Sequence, residues 1–165
     1  MGTNALNRII DWRHTAEALQ GYAAAVAAEY KEELLGDDRI ATGDLIRSVQ
    51  TEIVQKGNTL QVVLDVAAYW KYVEYDTKPH WPPPDKIREW IEAKPVLPRP
   101  LANGKLPTVQ QLTYLIGRKI SRVGTKGSNT LRHTLEEINA EWADRIAAAM
   151  AEDVAGEFFA LFKEF

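Results

Sequence analysis

The chain has 165 residues and no cysteine, which excludes disulfide scaffolds, thiolate nucleophiles and thiolate metal sites. That absence fits a cytosolic origin. No apolar run approaches the roughly 18–20 residues that a membrane span needs, so no membrane is expected among its partners. The first residues hold no basic region leading into an apolar stretch, and no signal peptide is expected. Histidine is scarce: His14, His80 and His133 fall in three separate segments, and no pair has the spacing of metal ligands. His80, beside Glu74 and Asp76, comes nearest, and a hydrogen bond within a turn is its simpler reading. No G-x-S-x-G, H-E-x-x-H, Walker or dinucleotide signature is present. Gly124-Thr125-Lys126-Gly127-Ser128-Asn129, with Lys126 as an anion partner, lacks the preceding strand and the Gly-Lys-Ser/Thr ending of a phosphate loop. It reads as a flexible basic connector. No catalytic residue, metal or cofactor is expected, and the chain reads as a non-enzyme.

Acidic residues are missing from one interval only. Between Ala93 and Leu135 there is none, while eight bases occur: Lys94, Arg99, Lys105, Arg118, Lys119, Arg122, Lys126 and Arg132. The part before sums to −5 and the part after to −6, giving the net charge of −3. A basic block inside an acidic chain can meet nucleic acid, an acidic surface, or the acidic part of another copy. Arg118, Lys119, Arg122 and Lys126 are the candidates for that contact. Apolar content of 45% and charge of 26% are ordinary for a globular protein. The length suits a single domain over residues 1–165.

Within that domain the sequence reads as an arm over 1–11, a core over 12–94, a proline-rich loop over 95–107 and a helical part over 108–165. Leu19, Tyr22, Val26, Tyr30 and Leu34 recur at helical steps, which predicts a long helix from about Asp11 to Leu35. Its alanines let another backbone come close. Thr42 can cap a short helical turn entered through Gly43, with Leu45 and Val49 pointing inward. Two strands follow, Val49–Gln55 and Thr59–Val66, joined by Lys56-Gly57-Asn58 as a hairpin. Leu60, Val62, Leu64 and Val66 alternate with polar residues, so one face should be buried. A lone hairpin is marginal, and it needs the first helix over it or strands from another subunit beside it.

The segment from Ala68 to Lys94 joins an aromatic stretch to Pro82-Pro83-Pro84, a stiff elbow with Trp81 expected to be partly exposed. A short helix restarts at Pro84 and Asp85, since a missing N–H does no harm in the first turn. Ile87, Trp90 and Ile91 share its face. A further helix is predicted from Thr108 to about Val123, with Leu112, Leu115, Ile116 and Ile120 inward and Arg118, Lys119 and Arg122 outward. The last helix starts near Thr130 and carries Leu131, Leu135, Ile138, Trp142, Ile146 and Met150 as its stripe. The apolar pattern continues through Val154, Phe158, Phe159, Leu161 and Phe162, with Gly156 as a possible bend. Tyr72, Glu74, His80, Trp81, Phe158, Phe159 and Phe162 are the candidate contacts to another subunit or partner. The fold class expected is α+β: a long N-terminal helix on a small antiparallel sheet, followed by a helical C-terminal half.

Three pieces in order carry a resemblance. They are Thr42-Gly43-Asp44-Leu45-Ile46-Arg47-Ser48 with a hairpin behind it, Tyr72-Val73-Glu74-Tyr75-Asp76-Thr77-Lys78-Pro79-His80, and Ile87-Arg88-Glu89-Trp90-Ile91-Glu92-Ala93-Lys94. Their order and spacing resemble the minor tail component family of tailed bacteriophages, the lambdoid "gene product ten" type of neck and tail-completion protein. The resemblance covers about residues 14–140. Asp76 stands where that family usually has glycine, and aspartate tolerates a left-handed conformation better than most residues. The proline loop and the extended last helix look like additions. The resemblance implies a structural virion protein, assembled in the host bacterial cytoplasm. It implies a homo-oligomeric ring, hexameric or dodecameric, at the head–tail junction. Its implied partners are copies of itself, head-closure or adaptor proteins, tail-tube or tail-terminator proteins, and DNA passing non-specifically through the channel. A tail-terminator ring and a DNA-contacting packaging accessory are the alternatives.

Overall fold

A computed structural model of the chain describes residues 10–37, 43–57, 59–94 and 96–163. Six helices and two strands occur among them: α1 (Arg13–Gly36), α2 (Asp44–Ser48), β1 (Gln50–Lys56), β2 (Thr59–Asp65), α3 (Trp70–Glu74), α4 (Pro84–Ala93), α5 (Val109–Val123) and α6 (Thr130–Lys163). The class is α+β, with a long N-terminal helix packed with a β-hairpin and a long C-terminal helix, and a helical second half. The contacts divide the chain into two compact units. One takes the described residues of Met1–Glu33, Ser48–Val66 and Leu131–Phe165, and the other those of Leu34–Arg47 and Ala67–Thr130. Neither the 94/95 nor the 107/108 break read along the sequence separates them. The arm at 1–9 and the cap at Thr42 lie outside the described residues.

In the first unit, α1 and α6 lie antiparallel. His14 meets Asp153, Tyr22 meets Asn139, and Glu33 lies beside Thr134 and Glu137. Ala23, Val26 and Tyr30 form the buried row of α1, at the three- and four-residue spacing that marks a helix face. Gly21 extends that row: a Cβ there would lie 2.6 Å from the Trp142 ring, so a bare backbone makes room for the indole. Tyr22 meets the same ring edge-on at 6.4 Å and donates its hydroxyl proton to Asn139 Oδ1 at 2.7 Å. On α6 the buried positions beyond its first residue, Thr130, are Thr134, Ile138 and Asp153, while Met150, expected in the stripe, is 43% exposed. The helix continues unbroken through Gly156 to Lys163, 34 residues or about 51 Å long.

The hairpin pairs Gln50 with Asp65 through Lys56 with Thr59, in antiparallel register. Gly57, in the two-residue turn, takes φ +59, as a tight hairpin turn favours. The register puts Ile53, Leu60, Val62 and Leu64 on one face. The expected buried face is only half-covered, because no strand residue reaches full burial. Among the described residues the sheet has these two strands alone, so both outer edges are unpaired.

In the second unit, α4 packs on α5. Pro84 opens α4, and Ile87 and Ile91 are buried on it. Thr108 and Gln111 close a reciprocal capping box at the start of α5. Of the residues expected inward on α5, Leu112, Ile116 and Ile120 are half-buried. Thr113 and Gly117 are its buried residues, while Leu115 is 42% exposed. Small residues win there because Trp81 and Ile87 press on Gly117; a Cβ would lie 3.1 Å from the indole and 3.5 Å from Ile87 Cδ1.

Candidate interaction surfaces

The aromatic stretch opens as the short helix α3, with Trp70 against the Tyr75 ring at 5.7 Å. Its lower end is threaded by residues 124–129. Thr77 N–H donates to Thr125 O at 2.9 Å, and Thr125 N–H returns to Thr77 Oγ1 at 3.0 Å. Ser128 N–H reaches Val73 O at 2.8 Å, and Asn129 N–H reaches Glu74 O at 3.0 Å. The loop read as a flexible connector is thus a clasp held by main-chain hydrogen bonds. The glycines make it possible. A Cβ at Gly124 would overlap the Thr77 carbonyl, one at Gly127 would overlap the Glu74 carbonyl, and Gly124 also sits at φ +72. Asn129 is the only non-glycine at positive φ among the described residues. Asp76 is therefore not left-handed. It acts through its side chain instead, Oδ1 accepting from Gly127 N–H at 2.8 Å.

The candidate contact residues of this region divide. Glu74 is buried, 2% exposed, and engaged within the chain, which removes it from any outer surface. Tyr72 is exposed. His80 is exposed with Nδ1 2.8 Å from Lys78 O, a hydrogen bond within the turn. Trp81 is 61% exposed although one edge rests on Gly117, and its ring lies 6.2 Å from that of Tyr114, itself 57% exposed. Tyr114 was not singled out by sequence reasoning; it occupies the outward face of α5 four residues before Arg118. Arg118, Lys119 and Arg122 are exposed on that face. Lys126 is exposed too, in the clasp rather than on the helix, and makes an interaction within the chain. Beside Tyr114 lies an open cleft of about 440 Å³ lined by Leu101, Gln110, Gln111, Tyr114 and Leu115.

On α6, Phe158, Phe159 and Phe162 are all exposed, with Phe162 at 75%. They follow Asp153, the anchor that fixes this end of α6 to the start of α1. Asp153 is buried. Its Oδ1 accepts from His14 N–H at 3.0 Å and lies 2.7 Å from His14 Nδ1. Its Oδ2 accepts from Thr15 N–H at 2.8 Å and from the Thr15 hydroxyl at 2.6 Å. The carboxylate thereby caps the N-terminus of α1 from a different helix, where the helix dipole favours negative charge. Burial pushes the Asp153 carboxyl up, but the hydrogen bonds from Thr15 and His14 outweigh it and hold the group at about 2. Sequence reasoning missed this residue because nothing local marks a cap that is 138 positions away.

Farther along the helix pair, oxygens of Glu29, Glu33 and Glu137 lie within 4.8 Å of one another. Burial pushes the Glu33 carboxyl up, Glu137 pushes it further, and the Thr134 hydrogen bond partly offsets both. Three carboxylates could hold a cation; otherwise they repel. No family model matches the chain, and no curated protein or solved structure matches it.

Proposed function

We propose that the chain is a structural component of a tailed-phage virion, without catalysis, which forms a ring at the head–tail junction as a neck or tail-completion protein. One observation carries the assembly part of the reading: the hairpin is a two-stranded sheet with both edges unpaired among the described residues and no buried strand residue. An open edge is a template for another strand, and a half-exposed apolar face gains by being covered. A second copy that adds a strand and covers the half-exposed apolar face removes both defects. In a ring each such contact is heterologous and closes by rotation.

The virion part rests on the ordered motif set, and the elements it falls on are in keeping with it. Leu45 of the Thr-Gly motif is buried on α2, the hairpin follows, and the second motif runs from the end of α3 into the segment held by the clasp. Exposed aromatic anchors at Phe158, Phe159 and Phe162 supply affinity for a neighbouring copy or for a head-closure, tail-tube or tail-terminator protein. The alternative of a tail-terminator ring uses the same surfaces. A DNA-contacting packaging accessory is favoured by one observation only, the exposed basic face of α5.

The test is the solution mass by light scattering at low and high salt, alone and with head-closure and tail-tube proteins. A ring-sized mass is expected, and Phe159→Glu with Phe162→Glu should reduce it while leaving the helical signal intact. A chain that stays monomeric under all those conditions overturns the reading.

A further inference from the structure

The outward face of α5 joins two features that seldom adjoin by chance. Tyr114, Arg118 and Arg122 follow one another at four-residue steps, so they form a row roughly 12 Å long on one helix face. Beside the first of them stands Trp81, its ring 6.2 Å from that of Tyr114 at an interplanar angle of 34°, with both aromatics more than half exposed. Among the described residues, Arg118, Lys119 and Arg122 form no ion pair within the chain. By contrast, the exposed Lys86, Arg132 and Arg145 each pair with a glutamate on their own helix. The sequence explains why: from Lys94 to Leu135 there is no acid to pair with. The row thus keeps its charge for something outside the chain, and that something is anionic.

An anionic partner alone would not account for the aromatics. An acidic peptide offers carboxylates, but a flat face only where it carries an aromatic side chain, whereas every nucleotide brings one with its phosphate. A duplex offers phosphates but keeps its bases stacked. A single strand offers both phosphates and unstacked bases, and base–aromatic stacking tolerates any sequence. The cleft beside Tyr114 adds Gln110, whose amide can donate to and accept from a base edge. We infer that the α5 face binds single-stranded nucleic acid, its phosphates along Arg118, Lys119 and Arg122 and its bases on Trp81 and Tyr114. The inference goes beyond the ring reading and does not rest on it, since duplex DNA passing through a channel presents no unstacked base.

The experiment is fluorescence anisotropy of a labelled oligo-dT of about 15 nucleotides, a length that spans one stacking site. The full chain is titrated across a salt series, with a duplex of equal length and poly-glutamate as comparisons. The oligo-dT should bind more tightly than the duplex. Its log affinity should fall with log salt at a slope of about −2, as three cations on a single strand give. Tyr114→Ala should weaken binding roughly 5- to 150-fold, the range for loss of one stacked base, while Tyr114→Phe should restore it. Arg118→Ala with Arg122→Ala should flatten the salt slope. Trp81 packs on Gly117, so Trp81→Phe serves as its conservative variant: it should abolish most of the tryptophan quenching that oligo-dT causes. Binding that is unchanged in Tyr114→Ala, duplex or poly-glutamate bound as tightly as oligo-dT, or no binding of oligo-dT would each overturn the inference.

Discussion

The two units of this chain are held together in different ways. In the unit built on α1 and α6, side chains do the work: an apolar row, a tryptophan seated on Gly21, and a buried carboxylate that caps the opposing helix. In the unit built on α3, α4 and α5, the 73–77 segment and the 124–129 loop are joined mainly through main-chain donors and acceptors. Side-chain packing gives when one atom is added, because rotamers shift. Main chain against main chain has no such freedom. The difference teaches where single changes should be felt. The helix pair should respond in proportion to what is lost, and the clasp should fail on one methyl group.

The sharpest way to break that comparison is Gly127→Ala, with Gly124→Ala beside it. In both, the new Cβ overlaps a carbonyl of the facing 73–77 segment, and in the second the backbone also stands at φ +72. The expected cost is about 3 kcal/mol or more for each, the range of a core overpacking that cannot relax. Gly156→Ala is the matched control on α6, where nothing lies within 4 Å of the new Cβ. It should stabilise by roughly 0.5–1 kcal/mol, since alanine replaces glycine inside a helix. Urea unfolding midpoints for the three variants decide the matter. A loss below about 1 kcal/mol at Gly127 would mean that the clasp yields as readily as a side-chain core.

The second comparison point is Asp153, where the helix pair comes closest to the logic of the clasp. Asp153→Ala leaves two N–H groups at the start of α1 and the Thr15 hydroxyl without their acceptor, at a cost of roughly 2–3 kcal/mol. The native carboxyl titrates at about 2 against an ordinary value of 3.8. Its folded pKa is depressed, so its contribution is fully present above about 3.8 and is lost as pH falls toward 2. Acid titration of thermal stability should therefore show the wild type losing ground to Asp153→Ala across that window. Parallel curves from pH 5 to pH 2 would remove the capping role.

How much of this was legible beforehand depends on which kind of force is involved. Helical periodicity marked α1 and α6, and strict alternation with Gly57 marked the hairpin, because those patterns repeat locally. The buried Val26, Tyr30 and Leu34 were on the predicted stripe. The α5 seam was read only in part: Leu112, Ile116 and Ile120 are half-buried, but Leu115 is exposed and the contact with Trp81 selected Gly117. The clasp was misread as a mobile loop, because glycine in sequence signals freedom and only a neighbouring carbonyl turns it into a steric requirement. Asp76 followed the same course: it was read for its backbone tolerance and acts through its side chain. Tyr114 carried no signal of its own until the fold put Trp81 beside it. Of the candidate contact residues, Glu74 was unreadable for the same reason, since only packing decides that a glutamate is buried.

The smallest expected effect lies in the same helix pair and has the opposite sign to that at Asp153. Glu33 sits beside Glu137 and Glu29, with its carboxyl pushed above the ordinary value of 4.5 by burial and then by Glu137. A raised carboxyl pKa means that the folded state resists ionisation. Its relative stability is greatest below 4.5 and is lost as pH rises through the raised folded value. At neutral pH the cluster therefore costs stability, and Glu137→Gln should recover about 0.3–0.5 kcal/mol, the scale of one like-charge contact at a helix surface. The gain should shrink as pH falls to 3.5, where Glu33, its carboxyl raised above the ordinary 4.5, is protonated and no longer repels Glu137. Melting temperatures of wild type and Glu137→Gln at pH 7 and pH 3.5 measure it. A variant less stable at pH 7 would mean that a partner such as a bound cation outweighs the repulsion among these carboxylates, and that the helix pair, unlike the clasp, absorbs a local conflict.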